Sequence, residues 1–299
     1  MTQYFSSNSH DLRIVSAEQL YARAALVQDL NSKEIKSATA VAWYRLPDKI
    51  PCGLSDCHQW HGRGYVARLP DGREVHMGKD CGTSLLGEEW RHATNALDYQ
   101  DRIRQLRITL DNALVAKVEI ERELDALTEA PNGARWVARR KREFESTLPE
   151  QVIDRIKAQA RRHETAVTIE VHLSADEIAK RSAGGQKVAP IETQVIGHLK
   201  GLQIWREAPG QIRKRIEEVY SAIEETDRQE ARERKLRPLA ARALGIGDMV
   251  QVFRDFVAAG EDFFAPSNLS YLPSLTTDKD ASRQTAKLIK RCHQEAAIA

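Results

Sequence analysis

The 299-residue chain has little net charge and no long apolar run. Its 45 lysines and arginines are balanced by 43 aspartates and glutamates, so the formal net charge is only +2. This balance excludes a polycation that binds nucleic acid through its overall charge, and any such surface must come from local clusters. No apolar run approaches the ~20 residues that span a bilayer. The first residues, MTQYFSSNSHDLRIV, lack the basic and apolar regions of a signal peptide, so we expect a cytoplasmic protein without membrane contact.

Motifs of several enzyme and nucleotide-binding classes are also absent. The glycine-containing stretch RSAGGQKVAP (181–190) lacks the preceding strand and the GK[ST] of a phosphate loop. HExxH, typical of zinc proteases, and HxE followed by PCxxC, typical of zinc deaminases, do not occur. A non-enzymatic protein is therefore the leading interpretation. The enzymatic alternative is a metal-dependent nuclease that uses His58 and His76.

Cysteine is scarce, with four in the chain, yet three of the four fall between residues 52 and 81. In a reducing compartment, clustered cysteines bind metal more often than they form disulfides. The fourth, Cys292, stands alone near the C-terminus, and we expect it to be a half-buried helix residue. The cluster is therefore the part of the chain that most directly indicates chemistry.

Short β-branched and aromatic runs in the first 90 residues predict a small sheet. TAVAWYRL (39–46) predicts one strand, and RGYVARL and REVHM predict two more, joined by Pro70-Asp71-Gly72 with the residue types of a tight hairpin. Residues 16–33 have apolar side chains at helical spacing, with Ser16 as the N-cap. Residues 1–90 are thus predicted to form a small α+β domain.

Helical periodicity dominates after residue 90. Between residues 96 and 127 the spacing predicts one long helix whose stripe is Ile103, Leu106, Leu110, Ala113, Lys117, Ile120, Leu124 and Leu127. APNGA (130–134) ends this helix, and apolar residues at four-residue spacing predict a return helix. We therefore expect a coiled-coil-like helical hairpin over residues 91–165, which is also where a homo-oligomer would form.

Residues 166–299 are predicted to form a mainly helical C-terminal domain. TAVTIEVHL (165–173) alternates like a strand, and helices are expected at about 190–206, at 211–240 and from about 278 to the end. The predicted fold class is accordingly mainly α, with a small zinc-binding α+β domain at the N-terminus.

The clustered cysteines have the arrangement of a zinc site. Cys52 lies in a Pro-Cys-Gly turn, and Cys57 comes shortly after it. His61 precedes the first hairpin strand, and Cys81 follows the second. Zinc takes four thiolate or imidazole ligands, brought together from more than one short segment. We therefore predict zinc held by Cys52, Cys57, His61 and Cys81. His58 and His76 remain alternatives to His61 as the fourth ligand.

This order of knuckle, hairpin and helix-start ligand resembles the treble-clef family of zinc fingers over about residues 50–90. The knuckle has four residues between its cysteines where that family has two, and Ser84 stands where a second helix ligand would be. The resemblance implies the topology and a zinc ion with Cys52, Cys57 and Cys81 as ligands. HGRGY and GKDCG also resemble segments of bacterial and prophage proteins, which implies a role in phage–host conflict.

Aromatic and basic residues lie beside the predicted metal site and on the return helix. Arginine and lysine contact phosphate, and tryptophan stacks on bases. The predicted contacts are Trp60, Arg63, Arg68, Arg73 and Lys79 on the hairpin, and Arg139, Arg140, Lys141 and Arg142 on the helix. We expect a zinc-finger protein that binds nucleic acid. The alternative is a protein–protein adaptor or inhibitor that docks through its helical arms, with zinc purely structural.

Overall fold

The structure is a computed structural model that describes residues 13–57, 59–183 and 187–296, with side chains as far as residue 292. The chain divides into two compact units, residues 1–109 with 228–240 and residues 110–227 with 241–299. It is mainly helical with a small sheet region near the N-terminus, as predicted. None of the helices in the described ranges is long and apolar enough to cross a membrane.

The first unit contains a four-stranded sheet in the order β1-β2-β3-β4. The strands are β1 (Arg13–Ile14), β2 (Thr39–Pro51), β3 (Trp60–Arg68) and β4 (Glu74–Met77). β1 is parallel to β2, whereas β3 is antiparallel to both β2 and β4, which confirms the predicted β3–β4 hairpin. The β2–β3 register shifts between Arg45 and Ile50, so residues 46–49 bulge out of the ladder.

Both faces of this sheet are covered, because its side chains alternate between two apolar clusters. On one face, Tyr44 and Val66 pack in a buried cluster with Leu20 of the short helix α1 (Ala17–Tyr21). On the other, Tyr65 packs with Trp90 of the helix that follows the sheet. Aromatic and aliphatic burial on both sides therefore holds the sheet between α1 and that helix.

The helix predicted over residues 16–33 ends early. Ser16 is the N-cap as predicted and accepts from the backbone N–H of Gln19, but α1 ends at Tyr21. The chain then runs beside the sheet, where the Val27 N–H donates to the Glu74 carbonyl at 2.8 Å and the Leu30 N–H to the Gly53 carbonyl at 3.0 Å. These long-range hydrogen bonds override the helical spacing of the apolar side chains.

The long helix is α2 (Lys79–Glu129), and it includes all of the predicted span 96–127. It kinks at Gly87, whose φ of 65° and ψ of −145° lie in a region that favours glycine. Leu110 and Leu124 of the predicted stripe are buried, whereas Leu106, Ile120 and Leu127 are partly exposed. Lys117, which interrupts the stripe, forms an ion pair with Glu224 at 2.6 Å.

The return helix α3 (Ala134–Thr147) is buried through its contacts with α8 (Ile246–Phe264), not through a coiled-coil seam with α2. The Phe264 ring packs edge-on against Trp136 and Phe144, with ring centroids 5.4 and 5.1 Å apart. A Cβ placed on Gly260 would lie 2.2 Å from Val137 Cγ2, so only glycine permits this close approach of α8 to α3. Local spacing predicted the helix but could not identify the helix it packs on.

Two further helix predictions are wrong. The single helix expected over 211–240 is divided into α6 (Pro209–Glu224) and α7 (Glu233–Leu244), and the helix expected at 190–206 is replaced by a strand over most of its length. The strand predicted at 165–173 is β5 (Ala166–His172), but its partner β6 (Ile191–His198) occupies the span predicted as a helix. β-branched residues in β6, such as Thr193 and Val195, favour a strand once a partner is present. The remaining helices are α4 (Glu150–Arg162), α5 (Ala175–Ser182), α9 (Pro266–Leu269) and α10 (Lys279–Ala296).

Replacement of Leu110 by alanine should destabilise the protein, whereas the same replacement at Val115 should not. Leu110 has 0% exposure and Val115 has 82%, although both lie on α2. We expect Leu110→Ala to lower the free energy of unfolding by ~2–5 kcal/mol, and Val115→Ala to change it by less than about 0.5 kcal/mol. Urea denaturation followed by circular dichroism measures both, and equal effects would contradict the assigned burial.

Candidate metal centre

Three cysteine thiols converge at one end of the sheet in the first unit. Cys52 directly follows β2, Cys57 lies in the loop before β3, and Cys81 is in the first turn of α2. Their sulfur atoms all lie within 4.8 Å of one another, and the Cys57 and Cys81 sulfurs are 3.4 Å apart. Sulfurs bonded to one tetrahedral ion at about 2.3 Å lie at comparable separations. The three cysteines therefore form a group that can hold a metal ion.

Backbone hydrogen bonds place the thiols together. The Cys52 N–H donates to the Gln59 carbonyl at 2.9 Å, and the Gly53 N–H donates to the His76 carbonyl at 2.9 Å. The first bond closes the loop that carries Cys57, and the second attaches this loop to β4. Because β4 leads directly into α2, the same bonds bring Cys81 to the other two thiols.

The electrostatics of the group favour a bound cation. Burial raises the pKa of the Cys52 thiol from its ordinary value of 9.0 to about 12. Burial also raises the pKa of the Cys81 thiol, and the neighbouring Cys57 raises it further. Neutral thiols are thus preferred in the metal-free state, and a metal must displace their protons to bind. A cation would in turn remove the repulsion between adjacent thiolates.

His61, predicted as the fourth ligand, lies beside the thiol group but not within it. Its Nδ1 hydrogen-bonds with the Tyr44 hydroxyl at 2.8 Å, and its Nε2 is buried without a hydrogen-bond partner among the described residues. A Cβ placed on Gly78 would lie 3.6 Å from both His61 Nε2 and Cys81 Sγ. Glycine at position 78, which has no side chain, therefore leaves space next to both of these atoms.

His76 is a second imidazole near the group, and its side chain is buried. Its Nε2 donates to the Pro51 carbonyl at 3.0 Å, so Nδ1 carries the lone pair. Nδ1 is buried without a partner in the described part of the chain. Burial lowers the pKa of both His61 and His76, which favours the neutral imidazole that binds metals. The third alternative, His58, lies outside the described residues.

Most of the predicted phosphate-binding residues of the hairpin have partners within the first unit. Arg68 forms an ion pair with the buried Glu74 at 2.7 Å, and Glu74 also pairs with Arg23. Arg73 pairs with Asp71 at 2.7 Å and with Glu34 at 3.1 Å. Lys79 donates to Asn95 at 3.1 Å and lies 3.7 Å from Asp98. These three side chains hold local structure together and are less available to a ligand.

Two of the four predicted residues on α3 also have structural roles. Arg140 forms an ion pair with Glu143 at 2.9 Å and lies over the Phe144 ring. Lys141 donates to the Ile204 carbonyl at 3.0 Å, and burial lowers the pKa of its amino group. Arg139 and Arg142 are exposed and have no ion pair with any described residue.

Arg63 is the exposed predicted residue of the hairpin that has no ion pair within the described ranges. Sequence reasoning missed its partner Arg45, which lies directly opposite on β2. The alternation in TAVAWYRL placed Arg45 on a strand, but only the register shows which residue it faces. Trp60 is 63% exposed and pairs with Pro51, on the other side of the register shift from Arg63.

Comparisons of the chain with protein-family models, with curated proteins and with solved structures found no match. The resemblance to treble-clef zinc fingers therefore stays a prediction. The thiol group, the two neighbouring imidazoles and the exposed arginine pair are the features from which function is inferred.

Cobalt(II) should bind the thiol group and produce the near-ultraviolet absorption of thiolate-to-metal charge transfer. We expect Cys81→Ser to remove most of this absorption. Cys292→Ser is the matched control, because Cys292 is a buried cysteine on α10 outside the thiol group. Absorption that survives Cys81→Ser, or that is lost with Cys292→Ser, would contradict the assigned ligands.

The same titration should depend on pH with a defined sign. Because the thiol pKa values are raised, protons compete with the metal throughout the range from pH 6 to 8, and affinity should increase as the pH rises through it. The expected gain is about tenfold per pH unit for each proton released. An affinity that does not change over this range would show that the thiols are not the ligands.

Proposed function

We propose that the chain is a non-enzymatic nucleic-acid-binding protein whose N-terminal unit folds around a structural zinc ion. The observation that carries the proposal is the pair of exposed arginines, Arg45 and Arg63, that face each other across β2 and β3 without an ion pair among the described residues. The zinc and the phosphate contacts rest on separate features of the first unit.

Zinc is the metal that fits this donor set best. Three thiolates with one imidazole are soft and borderline ligands, which favour zinc over magnesium or calcium. Four protein ligands leave no open position, which is typical of a structural site. The sheet that surrounds the thiols is small, and metal binding supplies folding free energy to domains with little core.

His61 is the fourth ligand in this proposal. Zinc on Nε2 would give that buried atom the partner it lacks, and Nδ1–H would donate to the Tyr44 hydroxyl oxygen. Zinc-bound histidines are commonly oriented by such a hydrogen bond from the second ring nitrogen. The space beside Gly78 is where the imidazole and the Cys81 thiolate would approach the same ion.

Purified protein should contain one zinc per chain by elemental analysis. We expect His61→Ala to lose its zinc to a chelator far sooner than the wild-type chain does. His76→Ala should retain the ion, because the proposal gives His76 no bond to it. If His76→Ala released zinc and His61→Ala kept it, the fourth ligand would be His76 instead.

The arginine pair is suited to a phosphate group. Residues directly opposite on antiparallel strands have Cβ atoms about 4.5–5.5 Å apart, and like charges at such positions are destabilising. A phosphate between the two guanidiniums would remove this repulsion and accept charge-assisted hydrogen bonds from both. Phosphate contacts carry no base information, so the pair alone predicts no sequence preference.

Charge reversal of the pair should weaken binding to a single-stranded oligonucleotide. We expect Arg45→Glu with Arg63→Glu to reduce affinity strongly at low salt. Loss of two phosphate contacts should also lower the slope of log affinity against log salt by about 1.4. Lys33→Glu with Lys36→Glu is the matched control, because it makes the same change in net charge at exposed lysines of the same unit.

A parallel Arg139→Glu and Arg142→Glu variant tests the exposed pair on α3. Wild-type protein that does not bind oligonucleotide, or binding that is insensitive to salt and to both arginine pairs, would remove nucleic acid from the proposal. The protein–protein adaptor or inhibitor would then be the leading proposal. Its docking surface would be the long helix, where Val115 and Val118 are 82% and 62% exposed.

A further inference from the structure

A cleft of about 550 Å³ opens between the sheet and α2 in the first unit. Trp43, Arg63 and Tyr65 line its strand wall, and Lys79, Asp98, Asp101 and Arg102 are among the residues of its helix wall. This volume lies within the range of about 300–1,000 Å³ found for small-ligand sites. Arg63 therefore belongs both to the exposed arginine pair and to the rim of this cleft.

Asp101 is the unusual side chain in the cleft. It is only 9% exposed, its Oδ1 is buried, and it has no hydrogen bond or ion pair with any described residue. Its neighbour Asp98, by contrast, accepts from the Tyr65 hydroxyl at 2.8 Å and lies 3.7 Å from Lys79. A buried carboxylate without a donor is strongly unfavourable. A ligand that supplies N–H donors would remove this penalty.

Trp43 adds an unused donor to the same cleft. Its indole N–H is buried and has no acceptor within the described part of the chain. One face of its ring is covered by the Arg13 guanidinium, 5.2 Å from the ring centroid. The cleft thus contains one unused N–H donor, one unused carboxylate and, at its rim, the unpaired cation Arg63.

We infer that this cleft binds the guanine base of a nucleotide. Guanine presents two adjacent donors, N1–H and the N2 amino group, which one carboxylate accepts together. Beside them its O6 is an acceptor for the indole N–H, and a phosphate on the sugar matches Arg63. Adenine has one donor group on this edge, and cytosine and uracil likewise lack two adjacent donors. Asp101 therefore selects guanine, because a polar site rejects analogues that leave its groups unpaired.

The other ligand that satisfies a carboxylate with two donors is a guanidinium, as on an arginine side chain. Lys79 is paired with Asp98 and Arg102 with Glu233, so the repulsion of a second cation comes from Arg63, which has no ion pair among the described residues. A guanidinium also has no acceptor for the Trp43 N–H. Arg63 and the Trp43 N–H consequently favour a base that carries a phosphate.

The inference rests on the proposed function, since it assigns the cleft to one base of a bound strand with Arg63 on its phosphate. Free guanosine monophosphate and a guanine within a strand present the same base edge. The two sources are distinguished by the affinity of an oligonucleotide that contains one guanine, compared with the affinity of one that contains only adenine.

The test is a calorimetric titration of zinc-loaded, full-length protein with guanosine monophosphate, adenosine monophosphate and guanosine. We expect the guanine nucleotide to bind at least about tenfold more tightly than the adenine nucleotide. Asp101→Asn should lower that affinity at least about tenfold without lowering the thermal midpoint, because it removes a buried unpaired charge. Asp48→Asn, in the exposed bulge of β2, is the matched control and should change neither quantity.

Arg63→Gln provides a second variant at an exposed position where the fold is not at risk. This variant should bind the guanine nucleotide more weakly, but its binding of guanosine, which has no phosphate, should be unaffected. Equal binding of the two nucleotides, or no binding of either, would overturn the inference even if salt-dependent strand binding persisted. Asp101-dependent binding of arginine methyl ester in place of the nucleotide would overturn it in favour of a peptide ligand. If the protein binds no oligonucleotide but still prefers guanosine monophosphate to adenosine monophosphate, the assignment of the cleft is supported and the proposed function is refuted.

Discussion

The antiparallel pairing of β3 with both β2 and β4 is the constraint on which the rest of the first unit depends. It places the end of β2 next to the start of β3, so the loop that carries Cys52 and Cys57 closes there. It also delivers β4 to the point where α2 begins, and hence positions Cys81. The same register sets Arg45 opposite Arg63. A shift of one residue would move every side chain to the other face and separate these groups.

The thiol group and the sheet share their surroundings. Both faces of the sheet are occupied, one by the cluster around Tyr44 and the other by the cluster around Trp90. Tyr44 contacts His61 as well, so one aromatic residue belongs both to the core and to the surroundings of the thiol group. A metal bound by the thiols would tie the end of β2 and the cysteine loop to the start of α2.

Several basic residues of the first unit balance acidic neighbours. Arg68 and Arg23 share Glu74, and Arg73 contacts Asp71 and Glu34. By contrast, Arg45 and Arg63 face each other without an ion pair, and Asp101 is buried without a hydrogen bond or ion pair, among the described residues. Exposed ion pairs contribute little to stability, but uncompensated charges carry a cost. A ligand of opposite charge would therefore gain most binding free energy at these uncompensated charges.

The sequence alone determined what depends on local spacing: the β3–β4 hairpin, the long helix α2 and, through the hairpin, the approach of Cys81 to Cys52 and Cys57. Tertiary structure decided what depends on distant partners. Residues 22–30 follow β4 and the cysteine loop in spite of helical spacing, and residues 191–198 form a strand because β5 supplies its hydrogen bonds. The position of His61, the pairing of Arg45 with Arg63 and the isolation of Asp101 are likewise set by register and packing. Neighbours along the chain cannot specify them, because the groups that contact these side chains come from elsewhere in the sequence.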